Sequence, residues 1–208
     1  SDLFVGVAAQ RTQVELGLNT PTAYQTYCLR VNCPVMSYPV TAGWFRDSRD
    51  SLIAPTRGVF ARAYTEMAAT GDVQYVRYGA SYQHFIPVSK QYALAFNVDW
   101  GQGQALGNST YPVFKNFYIG GLGSVRGYAQ GSLGPRDATG WVTGGPKKLV
   151  LNGEFFAPFP GAGNDKSLRL YGFVDAGNVF GPSDPIQIRE LRSAYGLGMS
   201  WLSPMGPL

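Results

Sequence analysis

The chain has 208 residues, enough for one large domain or two small ones, and carries a net charge of +4 with its lysines and arginines scattered. That scatter excludes a basic nucleic-acid footprint, and no stretch approaches the roughly 18 to 20 consecutive apolar residues of a transmembrane helix. With 27 glycines, 14% aromatic and only 14% charged residues, against about 25% charged in an ordinary domain, the composition fits an all-β soluble protein or a β-barrel in a bilayer.

In chain order, "SDLFVGVAAQ" opens as if already inside a strand, with no signal peptide, so the first residues read as cut from a longer chain. A strand is expected over 3–16, followed by a connection over 17–37 that holds both cysteines, Cys28 and Cys33, in "YCLRVNC". Two thiols with no neighbouring histidine cannot complete a four-ligand zinc site. Their spacing allows a small loop disulfide, which implies an oxidising compartment; two free thiols are the alternative.

Further strands are expected over 38–47, in "VFARAYTEM" and in "VQYVRYGASYQHFIP". Val59, Ala61, Ala63 and Met67 oppose Arg62, Tyr64 and Glu66; Val76, Tyr78, Ala80, Tyr82 and Ile86 oppose Arg77, Gly79, Ser81 and Gln83. Alternation is clearest over 91–101, where Tyr92, Leu94, Phe96, Val98 and Trp100 fall opposite Ala93, Ala95, Asn97, Asp99 and Gly101. Apolar outward and polar or small inward is the pattern of a membrane barrel. A long glycine-rich connection over 102–147 follows, carrying "GGLGSVRGYAQGSLGPRD". Strands near 148–158, 167–177 and 192–203 bring the number to eight, most close to the roughly 9 to 11 residues that cross a bilayer when tilted.

The connections alternate in length. The longest lie on one side of the sheet (17–37, 102–147 and 178–191), with 68–72 short for that side; those on the other, 48–56, 87–90, 159–166 and 203–206, are short. Outer-membrane barrels sort their loops in this way, and a soluble sandwich has no reason to. The cysteines then fall in an extracellular loop.

The glycine-rich stretch is not a phosphate cradle: "GLGSVRG" lacks a Walker lysine and opens no helix. His84, the single histidine, sits near a strand end in the apolar register, with no serine placed to partner it, and an interfacial structural role suits it better than hydrolysis. No enzyme, cofactor or metal pattern emerges. What stands out is a pair of carboxylates on inward registers. Leu149, Leu151, Gly153 and Phe155 point outward, leaving Val150, Asn152, Glu154 and Phe156 inward; Leu168, Leu170, Gly172 and Val174 leave Arg169, Tyr171, Phe173 and Asp175 inward. Glu154 and Asp175 would face one lumen from adjacent strands, although a wet barrel interior tolerates charges of many kinds.

"GGLGSVRGYAQGSLGP", "GEFFAP", "FVDAGNVF" and "SWLSPMGPL", in this order and spacing, together with "GWFRDSRDSLIAPTRG", resemble the C-terminal barrel of the BamA-type outer-membrane protein assembly factors. The resemblance covers nearly all of the chain. The VRG-[FY] core is shared with TamA-type paralogues and two-partner secretion transporters. The resemblance implies an antiparallel transmembrane β-barrel of sixteen strands, of which residues 1–208 would supply about the seventh to the fourteenth. The preceding POTRA domains and the first and last barrel strands would be absent. It also implies that the long loop folds back into the lumen, with Val125, Arg126, Gly127 and Tyr128 as its motif and Glu154 and Asp175 as partners of Arg126. A guanidinium entering a confined lumen loses water, and fork-shaped pairing with carboxylates offsets that loss.

For function, the resemblance implies an insertase that folds and inserts β-barrel proteins into the bacterial outer membrane. Its partners would be unfolded β-barrel clients, outer-membrane lipids and accessory assembly lipoproteins. The incoming strand would pair with an exposed edge where the first and last strands part, a form of β-augmentation. Polypeptide export through the lumen, or a passive pore, are the alternatives.

Overall fold

The computed structural model describes residues 1–15, 17, 20–161, 168–203 and 206–207. In chain order its elements are β1 (Asp2–Val7), β2 (Gln10–Thr12), α1 (Thr22–Val31), β3 (Val35–Ser37), β4 (Val40–Asp47), β5 (Gly58–Ala68), β6 (Tyr75–Pro87), β7 (Ala93–Ala105), β8 (Lys147–Pro158), β9 (Leu168–Phe180), β10 (Arg192–Ser203) and β11 (Gly206–Pro207). One antiparallel sheet takes β1 and then β4 to β11 in sequence order, each strand paired with the next. Eight strands form the body of this sheet, and the two-residue β11 adds a short return beside β10. Among the described residues β1 pairs with β4 alone, so the sheet is open at both edges.

Alternation assigns the faces. Phe96, Val98, Tyr82, Phe155 and Val174 are exposed on one side, where Tyr82, Val98 and Leu151 lie in one cross-strand row. The opposite face carries Ala93, Ala95, Val150, Asp175 and Val179, all buried, because the segment between β7 and β8 lies over it. That covered side is the inner face. No helix among the described residues is long and apolar enough to cross a membrane, which leaves crossing to strands.

Several expectations are corrected. The strand expected over 3–16 is two separate pieces. β1 ends at Val7, where the Ala8 amide bonds the carbonyl of Pro39 at 3.0 Å. Pro39 has no N–H to continue the ladder, so the chain leaves the sheet and β2 pairs instead with β3. The connection expected as plain loop over 17–37 contains α1, so the chain is mostly β rather than all-β. Two helix signals flank it: Pro21 just before its first turn, and Asn32 in the left-handed conformation (φ 61°) just after its last. Strands β6, β7 and β9 each run to 13 residues, so the long connection spans 106–146 rather than 102–147. Of the turn expected over 159–166, residues 162–166 lie outside the described residues, as do 204 and 205 of the turn over 203–206 and residues 16, 18 and 19 near the start.

Two apolar clusters tie the loops to the sheet. Tyr27, Cys28 and Val35 of the first connection bury against Ala68, Val73 and Tyr75 at the ends of β5 and β6. The Tyr27 ring meets Phe114 edge-on at 5.9 Å, and burial pushes the Tyr27 phenol up to about 12. The second cluster joins Phe117, Ile119, Val125 and Leu133 of the 106–146 segment to Val150 of β8 and Val179 of β9. It seats the segment on the inner face.

Candidate functional site

Although rich in glycine, the 106–146 segment holds a defined shape. Bridges join Phe117 to Gly145, Ile119 to Leu133 and Arg136 to Val142. Within its tip the Gly120 amide donates to Ser124 Oγ at 2.7 Å and the Gly121 amide to the Val125 carbonyl at 3.0 Å. Val125 has no exposed surface. It packs where Gly177 of β9 leaves space: a Cβ on that glycine would lie 2.9 Å from Val125 Cγ2 and 3.0 Å from the Leu149 carbonyl oxygen.

Seating Val125 aims the next residue at the sheet. The Arg126 backbone amide donates to Asp175 Oδ2 at 3.0 Å, its Nε to the same oxygen at 2.6 Å, and its Nη2 to Asp175 Oδ1 at 2.6 Å. Its Nη1 reaches Glu154 Oε1 at 2.5 Å. The guanidinium lies over the Phe173 ring, 3.9 Å from its centroid, which adds a cation–π contact to the fork. Gly196, across from Phe173 on β10, makes room for that ring: a Cβ there would stand 2.8 Å from it. Burial alone would lower the Arg126 pKa, but the hydrogen bonds to Asp175 and Glu154 outweigh it and hold the group above the ordinary arginine value.

Asp175 is fully buried, whereas a quarter of the Glu154 side chain is exposed. The two carboxylates come from neighbouring strands: Asn152 of β8 faces Asp175 of β9, and Glu154 stands two residues along β8, facing Phe173. Asn152 completes the network. Its Nδ2 donates to Asp175 Oδ1 at 2.8 Å and to the Ser124 carbonyl at 2.7 Å, and its Oδ1 accepts from Asn97 of β7 at 2.8 Å. Past the arginine, Gly127 takes φ +82°, a conformation that costs glycine little. Tyr128 then donates to the Ser193 carbonyl of β10 at 3.2 Å and, like Ala194, packs against the second apolar cluster.

The structure thus brings Val125, Arg126, Gly127, Tyr128, Glu154 and Asp175 into one centre. Cys28 and Cys33 stand apart from it: they are bonded to each other at the end of α1, with Cα atoms 5.0 Å apart. This helix joins the long segment elsewhere, through the Thr22 amide on Asp137 Oδ2 (2.8 Å) and a Tyr24–Tyr118 hydroxyl pair (2.9 Å). His84 lies in the outward register beside Tyr82, away from the arginine. Sequence reading did not nominate Asn152, Ser124 or Phe173. Asn152 stood in the same inward register as Glu154, but its place opposite Asp175 depends on strand register, which no single segment encodes. The chemistry of the centre is that of an anchor: charge-assisted hydrogen bonds fasten the loop to β8 and β9, and Tyr128 adds β10.

Residues 5–208 match the family model for the Omp85 superfamily domain. Over 82% of its length the chain is 35% identical to the outer membrane protein assembly factor BamA of Neisseria meningitidis, and over 78% it is 32% identical to that of Nitratidesulfovibrio vulgaris. It spans 25% and 21% of those two proteins. It is also 29% identical to the human sorting and assembly machinery component 50 homolog, over 74% of the chain and 35% of that protein. The fold superposes on the crystal structure of BamA from Haemophilus ducreyi lacking POTRA domains 1–3 with a TM-score of 0.83. That match has 21% identity and covers 99% of this chain and 45% of the other. The eight-stranded body is therefore part of a barrel of that type, and the chain belongs to the Omp85 superfamily.

Proposed function

We propose that the protein folds and inserts β-barrel proteins into a bacterial outer membrane. The observation that carries this reading is the similarity to two bacterial outer membrane protein assembly factors, each at or above 32% identity over more than three quarters of the chain. Its partners would be unfolded β-barrel clients, accessory assembly lipoproteins, and outer-membrane lipids against the exposed belt of Phe96, Val98, Phe155 and Val174. No nucleotide is needed in this scheme, because client folding supplies the driving force.

In the proposed mechanism the VRGY loop is a docked part of the barrel. Arg126 holds it against the inner wall through Asp175 and Glu154, and Tyr128 extends the attachment to β10. The wall keeps its shape while an incoming strand adds to an open sheet edge by main-chain pairing. Export of polypeptide through the lumen is the rival within the superfamily, and a loop seated across the inner face stands in its way.

The test uses the whole protein in proteoliposomes with an unfolded β-barrel client outside. Wild type should speed the appearance of folded, protease-protected client in the bilayer, and Arg126→Ala should slow it at least tenfold. If wild type gives no acceleration, or delivers client into the vesicle interior, the assembly reading fails.

A further inference from the structure

The inner face carries a second group of charges, over β5, β6 and β7 and the start of β8. Arg62, Glu66, Arg77, Asp99 and Lys148 line one cavity, together with Tyr64, Thr41 and Ser81. Its acids are already matched. Glu66 holds Lys115 Nζ at 2.8 Å and accepts from the Tyr75 hydroxyl at 2.6 Å; Asp99 is paired with Lys148. Two cations are left over. Arg62 rests over the Tyr64 ring at 5.4 Å and Arg77 over the Phe117 ring at 4.2 Å. Among the described residues neither guanidinium has a hydrogen-bond or ion-pair partner, and Arg77 Nε is buried unsatisfied.

Arg126 in the same lumen supplies the comparison. It also stacks on a phenylalanine, at 3.9 Å, and its edge is filled by two carboxylates. Arg77 has the stacked ring and the buried donor, but the acid across the ladder from it, Glu66, accepts its hydrogen bonds from Lys115 and Tyr75 and none from Arg77. An unmatched buried donor is costly, and a guanidinium held flat on a ring presents its donors in one plane, which suits a carboxylate fork. Glu66 and Asp99 line the same cavity, and they disfavour a doubly charged phosphate more than a singly charged carboxylate.

We propose that Arg77, assisted by Arg62, is a docking site for a carboxylate side chain of a polypeptide segment passing over the inner face. The site lies on strands other than those that hold Arg126, and its test reads binding alone, so it stands or falls separately from the assembly activity.

The experiment is fluorescence anisotropy on the whole protein in a zwitterionic detergent. The probe is a labelled Gly/Ser peptide with two glutamates, and its twin with two glutamines is the control. Wild type should bind the glutamate peptide at least tenfold more tightly than the twin. Arg77→Gln should weaken binding at least fivefold and Arg62→Gln by less. Lys90→Gln, on an exposed turn, should leave it unchanged. Arg77→Lys keeps the charge but not the planar fork, and should fall between wild type and Arg77→Gln. Heat-modifiable mobility checks that each barrel is folded; if Arg77→Gln fails to fold, Arg77→Lys carries the test. Equal binding of the two peptides, unchanged binding by the Arg77 variants, or displacement of the peptide by inorganic phosphate at lower concentration than by acetate would overturn the proposal.

Discussion

Asp175 accepts four hydrogen bonds, three of them from Arg126, and has no exposed surface; Glu154 accepts one and stays partly wet. The two carboxylates are therefore unequal partners. Removing one side of a buried charge pair costs about 3 to 5 kcal/mol because the other charge is left unmatched. Arg126→Ala and Asp175→Asn should each release the 106–146 segment to proteinase K while the strands stay protected. Glu154→Gln should raise the cleavage rate at least tenfold less than either. Arg126→Lys should rescue only in part, since an ammonium cannot reproduce the fork. A second test sits at Gly177. An added methyl would meet both Val125 and the Leu149 carbonyl, and overpacking of this kind costs about 1 to 3 kcal/mol. Gly177→Ala should loosen the same segment in the same assay with every charge intact. Alternation alone places Glu154 and Asp175 on inward registers. The space that Gly177 and Gly196 leave for Val125 and Phe173 was not legible, because it arises between segments far apart in the chain.

At the level of elements, the strands were the most readable and the first connection the least. A period of two marks β5 to β10 because one side faces lipid and the other the loop and lumen. Over 10–12 the chain reads Gln-Arg-Thr, without apolar alternation, and it forms a small ribbon outside the main sheet, with β3 as partner. Periodicity reports a half-buried strand without naming its neighbour. Helix α1 was not legible because only Tyr27 and Cys28 of its ten residues are buried, too few for an apolar stripe of helical period, although Pro21 and Asn32 mark its ends. Its N-terminal end is tied to the long segment by Asp137, whose carboxylate is held down at about 2 by a hydrogen bond from Thr139, with the Thr22 and Trp141 amides helping. A depressed carboxylate contributes stability above its unfolded pKa of about 3.8 and loses it as pH falls through about 2. The protection of the Thr22 and Trp141 amides, relative to an unstructured chain at the same pH, should hold down to about pH 4 and fall between about 3.8 and 2. In Asp137→Asn that fall should vanish, with the protection of Thr22 already low at neutral pH.

Across the whole molecule the outward face is the surface that a bilayer must cover. Val98 sits between Tyr82 and Leu151 in the middle of that belt, and Gln102 lies on the same register of β7 nearer its loop end. An arginine near the bilayer midplane of a barrel costs about 2 to 4 kcal/mol, falling to about 0 to 1 near the interface. Val98→Arg should thus lower the urea midpoint of folding into vesicles far more than Gln102→Arg; similar losses would mean that the belt is not centred on Val98. The sorting of connections by length was visible in the sequence because it needs only strand positions, whereas the loop's seat on the inner face needed the register of β8 against β9.

The attachments of Arg126 and Tyr128 have a mechanical consequence. One short stretch of chain grips Glu154 on β8, Asp175 on β9 and Ser193 on β10, so it runs across the strands where the sheet's own hydrogen bonds act only between neighbours. A curved plate ribbed in that direction resists flattening over the ribbed strip. Changes in curvature then concentrate in the strands without the rib, and β8 to β10 turn together as one stiff arc.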